Sequence, residues 1–127
     1  RQVRQFSFPS TEHLKLRNRV DHLFANGDRI KEGPLRVLWI ASPWPLKRGV
    51  QILFNAPKRH FKLAVRRNRI KRVLREAWRL ERGDFPDAEK PILMAVLHQG
   101  SDRISLDEAR QSLRQVLVCI AEDRAKT

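Results

Sequence analysis

Apolar residues recur three and four positions apart in three segments of the chain, a spacing that is typical of amphipathic helices. The spacing predicts a first helix over residues 11–26, a long second helix over residues 62–80 and a third helix that begins at residue 106. Gly27 follows the first segment at the place where a helix commonly ends. Three helices therefore form the framework of the prediction.

A capping box marks the start of the third helix. Ser105 and Glu108 have the S-x-x-E spacing, in which each side chain accepts a hydrogen bond from the backbone N–H group of the other residue. The apolar side chains that follow share one face of the helix. This predicts burial of Leu106, Ala109, Leu113, Val116, Leu117 and Ile120.

Short apolar runs between the helices predict strands. Residues 35–41 and 50–56 are separated by a proline-containing turn, so they are expected to be neighbours in a hairpin or meander. Residues 91–98 form a more continuous apolar run, as expected for a buried strand. The resulting order, α-β-β-α-β-α with room for one more strand, predicts an α+β sandwich with helices packed on a small sheet.

Net charge narrows the function classes. The 127 residues have the length of a single domain and carry 27 lysines and arginines against 14 aspartates and glutamates, a formal charge of +13. A charge of this size on a small domain repels itself unless a polyanion lies beside it. Nucleic acid is the leading candidate for that partner, and an anionic membrane surface is the second.

The sequence contains no segment suited to crossing a membrane. The longest apolar run, residues 91–97, is far shorter than the roughly 20 residues that a spanning helix needs. Cys119 is the single cysteine, which excludes a disulfide framework within the chain and a cysteine-based metal site. These features predict a cytoplasmic protein without a membrane partner.

The positive charge is concentrated on the second helix and just before it. Residues 58–82 contain eleven cations, opposed by Glu76 and Glu81 alone: Lys58, Arg59, Lys62, Arg66, Arg67, Arg69, Lys71, Arg72, Arg75, Arg79 and Arg82. Arg67, Lys71 and Arg75 are four residues apart and therefore line one stripe of the helix. Like charges at this spacing destabilise an isolated helix, a cost that a bound phosphate backbone would reverse.

Two other interpretations of this helix have less support. A charged run is usually a solvated surface, but here acidic partners are nearly absent and the charge is focused on one helix. A DNA-recognition helix normally follows another helix across a short turn, whereas a predicted strand precedes this one. The helix is therefore predicted to contact nucleic acid.

Residues 64–77, AVRRNRIKRVLREA, closely resemble the basic helix of bacterial ribonuclease P protein subunits. In that family an Arg-Asn-Arg core is followed by Lys-Arg and a further Arg. Residues 14–27 resemble the first helix of the family, and residues 91–98 and the capped helix resemble its last strand and helix. Most of residues 11–122 can be placed in this way.

The resemblance implies the order α-β-β-β-α-β-α in a single domain, residues 1–127, with a four-stranded sheet and a left-handed βαβ crossover. It implies a subunit of an endoribonuclease in which RNA is the catalyst, a ribonucleoprotein that removes the 5′ leader of precursor tRNA. The implied partners are the catalytic RNA of ribonuclease P and precursor tRNA. The implied cofactor is Mg²⁺, held mainly by the RNA, with no organic cofactor.

The same resemblance implies two RNA-contacting surfaces. The first, on the basic helix, would face the catalytic RNA through Arg67, Asn68, Arg69, Lys71, Arg72 and Arg75. Further implied RNA-binding residues are Lys58, Arg59, His60, Lys62 and Arg66. The second is a cleft between the first helix and the sheet that would hold the single-stranded leader. Its lining includes Val20, Phe24 and either Leu38 or Trp39, and Arg59 and His60 compete for one further position.

No catalytic or metal-binding residue is predicted in the protein itself. The four histidines lack metal-ligand spacing, and no cluster of carboxylates could hold catalytic Mg²⁺. Two other function classes stay open. A ribosomal-type or RNA-chaperone protein would bind RNA without changing precursor cleavage, and a protein-only nuclease would cleave RNA without an RNA partner. The missing carboxylates argue against the nuclease.

Overall fold

The computed structural model describes residues 13–46, 49–58, 61–83, 90–100 and 103–125 of the chain. Its helices and strands are α1 (Arg17–Asn26), β1 (Asp28–Glu32), β2 (Leu35–Ala41), β3 (Val50–Asn55), α2 (Ala64–Glu81), β4 (Ile92–His98) and α3 (Leu106–Ala125). This order confirms the α-β-β-β-α-β-α arrangement and the α+β class.

The strands form one mixed sheet in the order β1-β2-β4-β3. β2 is antiparallel to β1 and to β4, whereas β3 is parallel to β4. The prediction that β2 and β3 are neighbours is therefore wrong, because β4, which comes later in the chain, lies between them in the sheet. Two apolar strands on either side of a turn have the same pattern whether they pair or not. The hand of the β3–α2–β4 crossover stays a prediction of the resemblance.

β1 has a sequence pattern too polar to predict a strand. Of its five residues, DRIKE, Ile30 alone is apolar, and its side chain packs against the larger core. β1 lies at an edge of the sheet and so pairs with one neighbour, β2. The turn between them contains Gly33 at a φ of 54°, which is a conformation that favours glycine.

Each face of the sheet has its own core, because side chains alternate along every strand. Val37 and Trp39 of β2 belong to the larger core, which includes residues of α2 and α3. Leu38 belongs to the smaller core on the opposite face, together with Leu23 of α1. Residues 92–96 of β4 are all buried, since helices cover this central strand on both sides.

The predicted capping box of α3 is confirmed. The backbone N–H of Ser105 donates to Oε1 of Glu108 at 3.1 Å, and the backbone N–H of Glu108 donates to Oγ of Ser105 at 3.1 Å. The predicted apolar face is also confirmed, with Leu106 partly buried and the remaining members fully buried: Ala109, Leu113, Val116, Leu117 and Ile120.

The first two helices begin later than predicted. α1 begins at Arg17, and the preceding residues are extended, with the backbone N–H of Leu14 donating to the carbonyl oxygen of Ile52 at 3.0 Å. Leu14 is thus buried by lying along the edge of β3 and not by helix formation. α2 begins at Ala64, and Leu63 is its exposed N-cap. Residues 11 and 12 lie outside the described residues.

Candidate nucleic-acid interface

The orientation of α2 is set by one apolar stripe. Ile70, Leu74, Ala77 and Trp78 are fully buried in the larger core. Because successive residues turn by about 100° around a helix, the cations occupy the remaining surface on both flanks of this stripe. The predicted RNA-binding residues of α2 fall into two groups, those that hydrogen-bond to the protein itself and those that do not.

Arg67 and Arg69 are engaged by the protein itself. The Nη1 group of Arg67 turns back to donate to the carbonyl oxygens of Phe61 at 2.7 Å and Lys62 at 3.0 Å. The Nη2 group of Arg69 donates to the carbonyl oxygen of Ile104, just before α3, at 3.3 Å. Both arginines therefore hold the chain segments around the ends of the helices, a role that their sequence spacing does not indicate.

The polar surface of α2 that faces away from the core, which we call the open side of α2, consists of Asn68, Lys71, Arg72 and Arg75. Asn68, Arg72 and Arg75 are exposed and Lys71 is half-buried. Their side chains make no hydrogen bond or ion pair with any residue in the described part of the chain. Four polar side chains without protein partners, three of them cationic, form a surface that can bind phosphate oxygens.

The acidic residues of α2 do not neutralise this open side. Glu76 is paired with Arg79, whose hydrogen bond lowers the pKa of that carboxyl group. Glu81 accepts hydrogen bonds from two arginines of α3, from Nε of Arg114 at 3.0 Å and from Nε of Arg110 at 2.5 Å. The bond from Arg114 lowers the pKa of Glu81, and the bond from Arg110 adds to this effect. The positive potential of the open side therefore persists.

The start of α2 adds further positive potential. Its N-cap, Leu63, provides no side-chain hydrogen bond, and the first turn contains no acidic residue. The unpaired backbone N–H groups at a helix start attract anions. Lys58 and Lys62 are exposed just before the helix, and Arg66 is exposed in its first turn. Two other predicted contacts, Arg59 and His60, lie outside the described residues.

A groove connects the open side of α2 with the edge of the sheet. It has a volume of about 170 Å³, and Arg75 lines it from α2. The extended segment before α1 lines it with His13 and Lys15, and β3 lines it with Ile52 and Leu53. The groove brings α2, β3 and the approach to α1 together in one place.

One side of α1 forms a wall above the sheet. Leu23 is fully buried on the sheet, whereas Arg19 and His22 turn toward Trp44 in the connection between β2 and β3. Val20 and Phe24, four residues apart, share the other side of the helix, and the N-cap Leu16 precedes them at the same spacing. Phe24 is 43% exposed there and Leu16 is 53% exposed. This wall offers apolar contact surface to a ligand.

The floor beside this wall is the α1 face of the sheet. Leu38 belongs to this face, in the same cluster as the half-buried Val20. Trp39 does not, because it is 7% exposed in the larger core on the other face. Of the two alternatives for the cleft, Trp39 is therefore wrong, since adjacent residues of a strand point to opposite faces. Val20 and Leu38 share one cluster, and the assignment of Val20, Phe24 and Leu38 to a leader cleft stays a prediction of the resemblance.

Trp44 anchors α1 and was not predicted as part of the site. The guanidinium carbon of Arg19 lies 5.4 Å from the centre of the Trp44 ring system, and the ring of His22 meets it edge-on at 5.5 Å. The Nη1 group of Arg19 also donates to Oε1 of Gln51 on β3 at 3.0 Å. The sequence marks Trp44 by the prolines on either side of it. Its contact with α1 could not be predicted from this pattern, because Arg19 and His22 are distant from it in sequence.

Two negative findings apply to the described ranges. They contain no group of three or more histidine, cysteine, aspartate or glutamate side chains that could hold a metal ion. They also contain no helix long and apolar enough to span a bilayer.

Comparison with known proteins agrees with the resemblance in the sequence. The model of the family described as Ribonuclease P matches residues 8–121 of the chain. The curated ribonuclease P protein component of Chlorobaculum tepidum is 32% identical over 132 residues, covering 93% of this chain and 85% of the relative. The chain belongs to the ribonuclease P protein family. A ribonuclease P protein component of Marinobacter nauticus is 31% identical and covers 90% of this chain and 82% of the relative.

Solved structures of ribonuclease P proteins share the fold. The protein from Thermotoga maritima has a TM-score of 0.67 at 22% identity and covers 84% of this chain and 94% of its own. The protein from Staphylococcus aureus has a TM-score of 0.65 at 17% identity and covers 87% of this chain and 94% of its own. The α+β architecture with three helices and a four-stranded mixed sheet is thus that of ribonuclease P proteins. The family model and the curated relatives give the chain the role of a ribonuclease P protein component.

Proposed function

We propose that this ribonuclease P protein binds two RNAs at once, the catalytic RNA and the 5′ leader of precursor tRNA. The open side of α2, with the cations at its start, binds the phosphate backbone of the catalytic RNA. The cleft between α1 and the sheet binds the single-stranded leader. Together the two contacts assist the Mg²⁺-dependent endonucleolytic removal of the leader by the catalytic RNA.

The observation that carries the proposal is the set of partnerless cations on the open side. Lys71, Arg72 and Arg75 make no ion pair within the described residues, while Glu76 and Glu81 are occupied by other arginines. A domain that keeps its acids away from one basic surface retains a strong positive potential there. Phosphates that neutralise this surface release counterions, which favours binding at low salt.

The cleft supports the second contact. α1 carries an exposed aromatic side chain, Phe24. Val20 and Leu38 share a cluster with Leu53, which also lines the groove of Lys15 and Arg75. Proteins that bind single-stranded nucleic acid combine aromatic platforms for the bases with cations for the backbone. The cleft has the aromatic side chain, and Leu53 connects it to the groove in which Arg75 and Lys15 provide the cations.

Mg²⁺ is assigned to the RNA partner in this proposal. The donor set on the protein is poor for this ion, since the described residues bring no three carboxylate, histidine or cysteine side chains together and the interface is cationic. What the protein does is reduce repulsion between phosphates where RNA strands converge. Lower repulsion lets the RNA reach its active arrangement at a lower Mg²⁺ concentration.

The proposal is tested by precursor cleavage at low Mg²⁺ and near-physiological salt. A 5′-extended precursor tRNA is incubated with a bacterial ribonuclease P RNA, with the protein, or with both. We expect cleavage at the mature 5′ end that requires the RNA and is strongly enhanced by the protein. Cleavage by the protein alone would reveal an active site in the chain. RNA binding without enhancement would favour a ribosomal-type or RNA-chaperone function.

The role of the open side is tested with a charge-matched pair of double variants. Arg72→Gln with Arg75→Gln removes two charges from the open side, whereas Lys90→Gln with Arg114→Gln removes two charges elsewhere. Lys90 and Arg114 are exposed, and Glu81 retains Arg110 when Arg114 is lost. We expect the first double variant to bind the catalytic RNA more weakly and to need more Mg²⁺. Equal behaviour of the two double variants would contradict the proposal.

A further inference from the structure

One row of side chains crosses the entire sheet on its α1 face. The strand register places Lys31 of β1 opposite Arg36 of β2, Arg36 opposite Leu97 of β4, and Leu97 opposite Asn55 of β3. Arg29 lies on the same face, one row away, opposite Leu38. With strands about 4.8 Å apart, the row extends for about 14 Å from the end of β3 to the outer edge of β1.

The β1–β2 end of this row is a concentrated basic patch. Arg29, Lys31 and Arg36, which we call the hairpin patch, are all exposed, and none of them makes a hydrogen bond or ion pair within the described ranges. The acidic residues of β1, Asp28 and Glu32, alternate to the other face of the sheet. Like charges placed directly opposite each other on paired strands, as Lys31 and Arg36 are, destabilise the pairing.

We propose that the hairpin patch binds phosphates of single-stranded RNA, and that this RNA is the part of the leader farthest from the cleavage site. The inference rests on the proposed function, because Leu38 on the floor of the cleft lies directly opposite Arg29 of the patch. An RNA strand that starts at the groove between Arg75 and β3 and crosses the sheet over β4 reaches β2 and β1 last. The patch therefore meets nucleotides nearer the 5′ end than those held in the cleft.

Charge complementarity identifies the occupant of this surface. The α1 face of the sheet offers an apolar side chain, Leu97, and an amide, Asn55, between the cleft and the three cations. A flexible polyanion can follow such a row and gains attraction at its far end. The apolar part of the row is short, so an apolar protein partner would leave three charges without counterparts.

The experiment measures the affinity of the reconstituted holoenzyme for precursors whose leaders grow one nucleotide at a time. Lys31→Gln with Arg36→Gln is compared with the control Lys90→Gln with Arg114→Gln. We expect the affinity of the wild type and the control to rise with leader length until the patch is reached. The Lys31/Arg36 variant should lose the last part of this gain, about fivefold in affinity. For this variant, the slope of the logarithm of the binding constant against the logarithm of the salt concentration should be shallower by about 1.4, because two phosphate contacts are lost.

The outcomes separate this inference from the proposed function. If the wild-type protein enhances cleavage but both double variants show the same dependence on leader length, the hairpin patch does not bind the leader. If the Lys31/Arg36 variant lost the same affinity at every leader length, the patch would contact the catalytic RNA or the tRNA body, and the inference would be overturned. Failure of the wild type to enhance cleavage would overturn the proposed function itself. The charge-conserving Lys31→Arg with Arg36→Lys should keep the full length dependence, which excludes a defect in folding.

Discussion

Leu23 and Phe24 are adjacent on α1, but Leu23 should contribute mainly to folding stability and Phe24 mainly to leader binding. Leu23 is fully buried, so Leu23→Ala should lower the free energy of unfolding by about 2–5 kcal/mol. Phe24 is 43% exposed, so a little over half of its side chain is packed. Since full burial of a phenylalanine stabilises by about 1.5–3 kcal/mol, Phe24→Ala should lower the free energy of unfolding by about 1–1.5 kcal/mol.

The effect of Phe24→Ala on leader binding should be larger than its effect on folding. Stacking of one base on an aromatic ring contributes about 1–3 kcal/mol, which corresponds to a loss of about 5- to 150-fold in affinity. The assay is equilibrium binding of the holoenzyme to precursor tRNA and to mature tRNA without a leader, alongside urea unfolding of the protein. Phe24→Leu, which keeps an apolar side chain, should restore much of the stability but not the affinity. A loss of the same size with leader-free tRNA would refute the placement of Phe24 in the leader cleft.

Three further predictions concern the framework that holds these surfaces. Glu81→Gln should lower the free energy of unfolding by about 1–2 kcal/mol at neutral pH, because the side chain is 9% exposed but its arginine partners are partly solvated. Because the pKa of Glu81 is lowered in the folded protein, its ion pairs stabilise the fold at any pH above the ordinary pKa of 4.5. This stabilisation is lost as the pH falls through the folded-state pKa, so the unfolding curves of wild type and variant should converge in acid. Ser105→Ala should cost about 1 kcal/mol in thermal unfolding by removing the cap of α3, whereas Ser105→Thr should not. Arg67→Gln should lower the free energy of unfolding by about 1 kcal/mol, since its side chain donates to two backbone carbonyls. Urea unfolding checks this, and unchanged stability would contradict a structural role of Arg67.

Features that depend on nearby residues could be predicted from the sequence. The buried stripe of α2, with Ile70, Leu74 and Trp78, follows from apolar side chains at helical spacing. The start of α3 follows from the side chains of Ser105 and Glu108, which act within a single turn. The basic character of α2 follows in the same way, because it is a property of consecutive residues.

Features that depend on distant residues could not be predicted in this way. The insertion of β4 between β2 and β3 depends on how α2 returns the chain to the sheet, which no local pattern contains. The choice between Leu38 and Trp39 depends on the strand register, and a shift of one residue exchanges the two faces. Arg67 was assigned to RNA by its position in a stripe, but the carbonyl groups that it contacts belong to the loop before the helix.

The distribution of acids over the fold explains why both basic surfaces remain available to RNA. On α2, Glu81 is directed to the arginines of α3, on the flank away from the open side. On β1, the alternation of the strand separates Asp28 and Glu32 from Arg29 and Lys31. In both places the acids are close in sequence to cations that they do not neutralise. A uniformly basic surface would give the same net charge, whereas this separation leaves unpaired cations at two places, on α2 and on the α1 face of the sheet. These are the two surfaces that we propose for the catalytic RNA and for the leader.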